Sequence, residues 1–272
     1  MSFVTVNGVK LHYEQSGEGE ETILFSHGLL FDTRLFEKQV AYFQNRYRCI
    51  AYDHRGQGQS QTPDDGFDMD TLTEDALQLI KTLNLGPCHV VGLSMGGFVG
   101  MRLAARYPEL VKSLILLETS ADEETNVFKY RLLSYIFRWF GAGTVANQIM
   151  NVLFGQKFLN DPQRKAERDF WKQEIARYPK TIVRAVAGVI ERQPVLAELK
   201  NITAPTLVMV GNQDVATTPD KAERIHNHIR NSKLVVIKGA GHSSSLEEPE
   251  QVNAAMEEFL RDLQDDFSAD EE

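Results

Sequence analysis

The chain has 272 residues, 42% of them hydrophobic and 25% charged, which suits one large domain or a domain with an insertion. A net charge of -9 disfavours nucleic acid or an anionic membrane as the main partner, and no stretch approaches the roughly 18 apolar residues of a membrane span. Residues 1–10 lack the basic start and apolar run of a signal peptide. The two cysteines, Cys49 and Cys88, fall inside expected buried strands, a pattern that points to a reduced, cytoplasmic protein with inert thiols.

Segments 3–6 and 11–15 flank Asn7-Gly8, the two-residue turn signal of an antiparallel hairpin. Thr22–Ser26 is a short apolar run ending in His27-Gly28, and a helical pattern follows through Leu35, Phe36, Val40 and Phe43. Residues 47–52 read as a strand that ends in the polar loop Asp53-His54-Arg55-Gly56-Gln57-Gly58. The spacing of Leu72, Ala76, Leu79, Ile80 and Leu83 predicts an amphipathic helix over 70–84, with Thr71 or Thr73 as its cap. Next come the strand Cys88–Leu93, a helix to Tyr107 and the strand Val111–Leu117. Short apolar strands separated by amphipathic helices predict a mostly parallel sheet covered on both faces.

From 122 to 192 the strand pattern stops. Helical stretches over 127–140, 145–154 and 164–178 replace it, and Phe128, Tyr130, Tyr135, Phe137, Trp139 and Phe140 crowd the first. Strands resume at 205–210 and 234–237, around a helix near 219–229. A closing helix runs through Val252, Met256, Phe259 and Leu263. The expected organisation is a core of residues 1–120 and 193–264, a helical cap or lid over 121–192 inserted after the sixth strand, and a disordered acidic tail at 265–272. The aromatic load of the cap suggests an apolar pocket beneath it.

Gly92-Leu93-Ser94-Met95-Gly96 fits G-x-S-x-G, a serine on a sharp turn from strand to helix whose flanking positions need small residues. A plain glycine-rich turn would give the same five residues, so the remaining constellation decides. A serine hydroxyl needs a base, and the base needs a third group to fix its tautomer. Among seven histidines, His242 follows Gly239-Ala240-Gly241 after a late strand, at the sheet edge where Ser94 also lies. His226 and His228, two apart on a helix, make a poor metal pair, and no Cys/His spacing suits a metal. His12 and His89 read as surface or satisfied core residues, while His54 sits at the right edge but in a turn-forming loop. For the acid, Asp214 follows the strand ending at Val210, and Glu118 competes from the end of Val111–Leu117. The chain order Ser94, Asp214, His242 favours Asp214. Oxyanion donors are expected at the backbone N–H groups of Met95 and Leu29.

With His27-Gly28, Asp53 to Ser60, Gly92 to Gly97, Gly211-Asn212-Gln213-Asp214 and Gly241-His242 followed by Glu247 and Pro249, the chain resembles an α/β-hydrolase-fold serine hydrolase. Within that fold it is similar to small esterases, 3-oxoadipate enol-lactonases and the cofactor-free haloperoxidase or perhydrolase group. The resemblance implies nucleophile Ser94, acid Asp214, base His242, oxyanion donors Leu29 and Met95, and no cofactor. It implies hydrolysis of esters or lactones of a small-molecule substrate. Perhydrolysis, C–C bond hydrolysis and a non-catalytic ligand-binding relative are the alternatives. Relatives with a nucleophilic aspartate are less similar, since Ser94 stands at that position. The perhydrolase type tends to carry an aromatic residue where this chain has Leu29. A carboxylate-bearing enol-lactone would need a cation in the pocket, for which Arg34, Lys129, Arg131 and Arg138 are candidates. The sequence leaves the oligomeric state open.

Overall fold

The computed structural model describes residues 2–269. In chain order the elements are β1 (Ser2–Val6), β2 (Val9–Ser16), β3 (Thr22–Ser26), α1 (Glu37–Phe43), β4 (Arg48–Tyr52), α2 (Met69–Thr82), β5 (Cys88–Leu93), α3 (Met95–Arg106) and β6 (Val111–Leu117). Then follow α4 (Val127–Phe140), α5 (Ala146–Leu153), α6 (Gln156–Asn160), α7 (Lys165–Arg177), α8 (Val183–Ile190), β7 (Thr206–Gly211), α9 (Pro219–His228), β8 (Ser232–Ile237), α10 (Ser244–Glu247) and α11 (Pro249–Ala269). Eight strands form one sheet in the order β1-β2-β4-β3-β5-β6-β7-β8. Only the β1–β2 and β2–β4 pairs are antiparallel. The hairpin closes with Val6 opposite Val9, and Asn7 and Gly8 both have positive φ, 46° and 75°, as a two-residue primed turn demands.

Strands β3, β5 and β7 are buried along their whole length. Alternate residues serve opposite faces. Leu24, Val90, Leu116 and Val208 join a core with α2, α3 and α9, whereas Phe25, Val91, Leu117 and Met209 join one with α1, α7 and α11. The chain leaves β3 toward β4 on one side of the sheet and returns to β5 on the other. Connections therefore diverge above the paired carboxyl ends Ser26 and Gly92, the switch point where open α/β sheets leave a crevice.

Two local expectations change. Helix α2 starts after Asp68, whose carboxylate accepts from Thr71 N at 2.8 Å and from its hydroxyl at 2.7 Å, so neither Thr71 nor Thr73 is the cap. An ionised side chain outcompetes a hydroxyl at a helix N-terminus because it also meets the positive end of the dipole. At the other end of the chain, α11 continues to Ala269, through part of the expected tail, and residues 270–272 of that tail lie outside the described residues. Among the described residues no helix is long and apolar enough to cross a membrane.

Candidate active site

Ser94 sits between β5 and α3 with φ 53° and ψ -112°, a strained conformation for a residue with a Cβ. The turn survives because its neighbours lack side chains. A Cβ on Gly92 would overlap the Gly96 carbonyl, and one on Gly96 would overlap the Ser26 carbonyl of β3. One on Gly97 would come within 2.5 Å of Thr119 Oγ1. The Ser94 N–H donates to Leu117 O at 2.9 Å, and Thr119 Oγ1 donates to Ser94 O at 2.8 Å, so β6 and the residues after it brace the turn. Thr119 carries no motif and is not legible in the sequence.

His242 and Asp214 meet at the same edge, from the loops after β8 and β7. His242 Nδ1 lies 2.9 Å from Asp214 Oδ2. A carboxylate only accepts there, which places the ring proton on Nδ1. Asp214 also accepts from Ala216 N at 2.8 Å, Thr217 N at 3.0 Å and Thr217 Oγ1 at 2.7 Å. Burial pushes this carboxyl up, but His242 and the Thr217 hydrogen bonds outweigh it and hold the group below its ordinary value. Thr217 Oγ1 stands 3.1 Å from His242 Nδ1 as well, so it can share that proton. Nothing in the linear spacing marks Thr217.

Glu118, the competing acid, does not reach His242. It is fully buried, accepting from Gly211 N at 3.0 Å and bonding Ser244 Oγ at 2.9 Å. Burial first, and the charge of Asp214 second, push its carboxyl well above the usual range. Glu247 clamps the histidine loop: Oε1 accepts from Gly241 N and Ser243 N at 3.0 and 3.1 Å, and Oε2 from Gly155 N at 2.8 Å. That last bond ties the His242 loop to the helical insertion.

The loop after β3 is fixed by two imidazoles. His27 Nδ1 donates to Gly28 O at 2.7 Å, and its Nε2 accepts the His54 N–H at 3.0 Å. His54 Nε2 pairs with Ser26 Oγ at 2.9 Å, and its buried Nδ1 has no hydrogen-bond partner among the described residues. Burial pulls both imidazoles below the ordinary histidine value. Gln57 Oε1 accepts from Leu30 N at 2.8 Å, which leaves the neighbouring Leu29 N–H outside that bond. His12 is a satisfied core residue, its Nδ1 2.8 Å from Asp53 Oδ2, and His89 pairs with Ser113 Oγ at 2.8 Å. His226 bonds Ser232 Oγ at 2.8 Å. Among the described residues no cluster of three His, Cys, Asp or Glu could hold a metal.

Leu29, Ser94, Thr217 and His242 all line one cavity of about 160 Å³, walled on the far side by α4, α5 and α8. No hydrogen bond joins the Ser94 hydroxyl to His242 within it among the described residues; such contacts often tighten only once substrate is bound. Of the six aromatics on α4, only Tyr130 and Phe137 line this cavity. Phe128, Tyr135, Trp139 and Phe140 are exposed instead, a correction to the expectation from composition. Apolar residues on α4 outnumber the places on one face, so composition alone does not say which of them turn inward. The four candidate cations also lie elsewhere. Lys129, Arg131 and Arg138 are exposed. Arg34 pairs with Asp32 and Glu174, both at 2.5 Å, outside the cavity. The arginine that does line it is Arg192.

A strained serine at the switch point of such a sheet defines a hydrolase of the α/β type, and the chain belongs to the alpha/beta hydrolase fold family, whose pattern matches residues 21–249. It is 29% identical over 260 residues to 3-oxoadipate enol-lactonase 2 of Acinetobacter baylyi, covering 95% of this chain and 96% of that one. Among solved structures it resembles a thermophilic esterase from Thermogutta terrifontis, with TM-score 0.88, 29% identity, and coverage of 97% and 99% of the two chains. The enol-lactonase of Burkholderia xenovorans LB400 superposes with TM-score 0.89 at 25% identity, covering 96% and 100%.

Proposed function

We propose that this protein is a serine hydrolase cleaving carboxylic esters or lactones of small, partly apolar molecules. Ser94 attacks the carbonyl carbon while His242 takes its proton through Nε2 and passes it to the leaving alkoxide. Asp214 holds the imidazole in the tautomer that leaves Nε2 free to accept. The N–H groups of Leu29 and Met95 receive the oxyanion, and water, activated by His242, releases the acid. The observation that carries this reading is the 2.9 Å pairing of His242 with Asp214 at the rim of the cavity that Ser94 lines. Residues 121–192 act as a cap over the core formed by 1–120 and 193–264, and their inner side supplies the apolar wall. The relatives named esterase and enol-lactonase support the reaction class. A cytoplasmic location belongs to the same reading, supported by two buried, unpaired cysteines whose thiols burial pushes up to about 12.

A fluorophosphonate probe tests it. Ser94 becomes labelled, and Ser94→Ala loses both the label and at least about 10³-fold of activity on p-nitrophenyl butyrate. A folded protein that neither labels nor hydrolyses would instead be a ligand-binding relative. The same preparation offered hydrogen peroxide or a vinylogous diketone reads perhydrolysis and C–C cleavage, which would run through the same three side chains.

A further inference from the structure

We propose that Glu124 sets the charge selectivity of the cavity by occupying the Arg192 guanidinium, so that the pocket takes uncharged acyl groups and turns away anionic ones. The inference rests on the hydrolase reading and names the substrate class of that site. Apart from Tyr130 and His242, Glu124 and Arg192 are the only ionisable residues in the cavity wall among the described residues. Arg192 Nη1 lies 3.2 Å from Glu124 Oε2, with side-chain exposures of 2% and 10%. The guanidinium also binds the backbone and a ring: Nε donates to Asp122 O at 3.0 Å, Nη1 to Val189 O at 2.9 Å, and Cζ sits 4.5 Å from the Phe98 ring centre. Phe98 is one turn along α3 from the nucleophile, its N–H donating to Ser94 O. The cation therefore stands beside the space where an acyl chain bound to Ser94 would extend.

A buried cation with no partner would be the natural seat of a substrate carboxylate. Here the seat is taken. A third ionised group would place two carboxylates on one guanidinium. The anion would lose its water and gain no free cation. An uncharged acyl chain meets Phe98, Phe137, Ile149 and Val186 without that loss. Glu124 and Arg192 lie 68 residues apart, one before α4 and one after α8, so both necks of the helical insertion must be in place to form the pair.

The experiment compares kcat/KM for p-nitrophenyl valerate and for mono-p-nitrophenyl glutarate, which share a five-carbon acyl chain and differ by a terminal carboxylate. The wild-type protein should favour the neutral ester at least tenfold. Glu124→Gln should cut that preference at least tenfold, through a gain on the anionic ester. Free glutarate should raise the melting temperature of Glu124→Gln and leave the wild type unchanged. The double variant Glu124→Gln, Arg192→Gln removes both charges, and should keep the neutral preference and show no glutarate response. A wild type that treats the two esters alike or prefers the anion overturns the proposal, and this measurement needs no variant to fold. So does a Glu124→Gln protein whose ratio stays within twofold and whose melting ignores glutarate. If neither ester is cleaved and Ser94 takes no label, the hydrolase reading fails instead, and the glutarate shift still decides the role of Glu124.

Discussion

Replacing Asp214 by asparagine changes one atom of a buried network and tests the proposed chemistry most directly. Oδ1 can still accept from the Ala216 and Thr217 N–H groups, 2.8 and 3.0 Å away, so the loop keeps its backbone anchors. The amide nitrogen then falls where Oδ2 now accepts from the Thr217 hydroxyl and from His242 Nδ1. Two donors would face each other unless the imidazole moves its proton to Nε2, the nitrogen that must accept from Ser94. Leaving a buried donor unpaired costs about 1–3 kcal/mol, which shows as a modest drop in melting temperature. The wrong tautomer costs far more in rate: about 10⁴-fold where this exchange has been made in serine proteases, equivalent to roughly 5 kcal/mol of barrier. The assay is kcat/KM on p-nitrophenyl butyrate for Asp214→Asn beside Glu118→Gln. The amide introduced by Glu118→Gln keeps an acceptor for Gly211 N and a donor for Ser244 Oγ. That variant should therefore retain activity within about tenfold, within what a single neutral hydrogen bond is worth. If Glu118→Gln loses the activity and Asp214→Asn retains it, the assignment of the acid is wrong.

Two further outcomes follow from the geometry. Gly96→Ala drives a Cβ into the Ser26 carbonyl and must push α3 away from β3. A shift of about 1 Å at Ser94, the proposed nucleophile, should cost at least about 10²-fold in kcat, while Gly100→Ala, whose Cβ meets the movable Leu114 side chain at 3.1 Å, stays active; equal activity of the two variants refutes the close-packing argument. His27 and His54 are held below the ordinary histidine value of 6.5 by burial, so the unfolded chain takes up protons that the folded one refuses. Stability is therefore full above that value and falls as pH drops below it, by up to about 1.4 kcal/mol per unit for each imidazole. Glu118, whose carboxyl burial pushes well up, works in the opposite sense, so the difference between two proteins is what reads the imidazoles. In urea unfolding between pH 7.5 and 5.5 the wild type should lose more stability than His54→Gln; equal slopes contradict the neutral, buried His54.

Much of this molecule is written in short-range pattern. Asn7-Gly8 announces its hairpin because only a few residues tolerate two successive positive φ angles. Strands β3, β5 and β7 announce themselves as unbroken apolar runs because both sides of the sheet are covered. The glycines around Ser94 are equally local in their signal: they mark a turn where strand, helix and a neighbouring carbonyl come too close for a Cβ. The residues that brace the site are different. Thr119 and Thr217 are ordinary polar letters, and Gln57 and Glu247, though inside motifs that carry the resemblance, join them in acquiring a role only where loops from β3, β4, β6, β7 and β8 converge. The cap of α2 departs from its expected position for a related reason, since Asp68 lies before the apolar pattern and its advantage over Thr71 is electrostatic.

What the sequence determined alone was the order of the strands and of the helices between them outside 122–192, the position of a serine turn, and the placement of Asp214 and His242 after late strands; α6, α8 and α10 carry too few turns to stand out as a pattern. Periodicity and turn chemistry act over a few residues, so they survive in a linear string. The tertiary structure alone decided which aromatics of α4 face the cavity, that Arg192 rather than Arg34, Lys129, Arg131 or Arg138 enters its wall, and that Glu124 already neutralises it. Such facts depend on how helices rotate and on pairs 68 residues apart, and burial, which sets the worth of every charge, exists only once the chain has closed on itself.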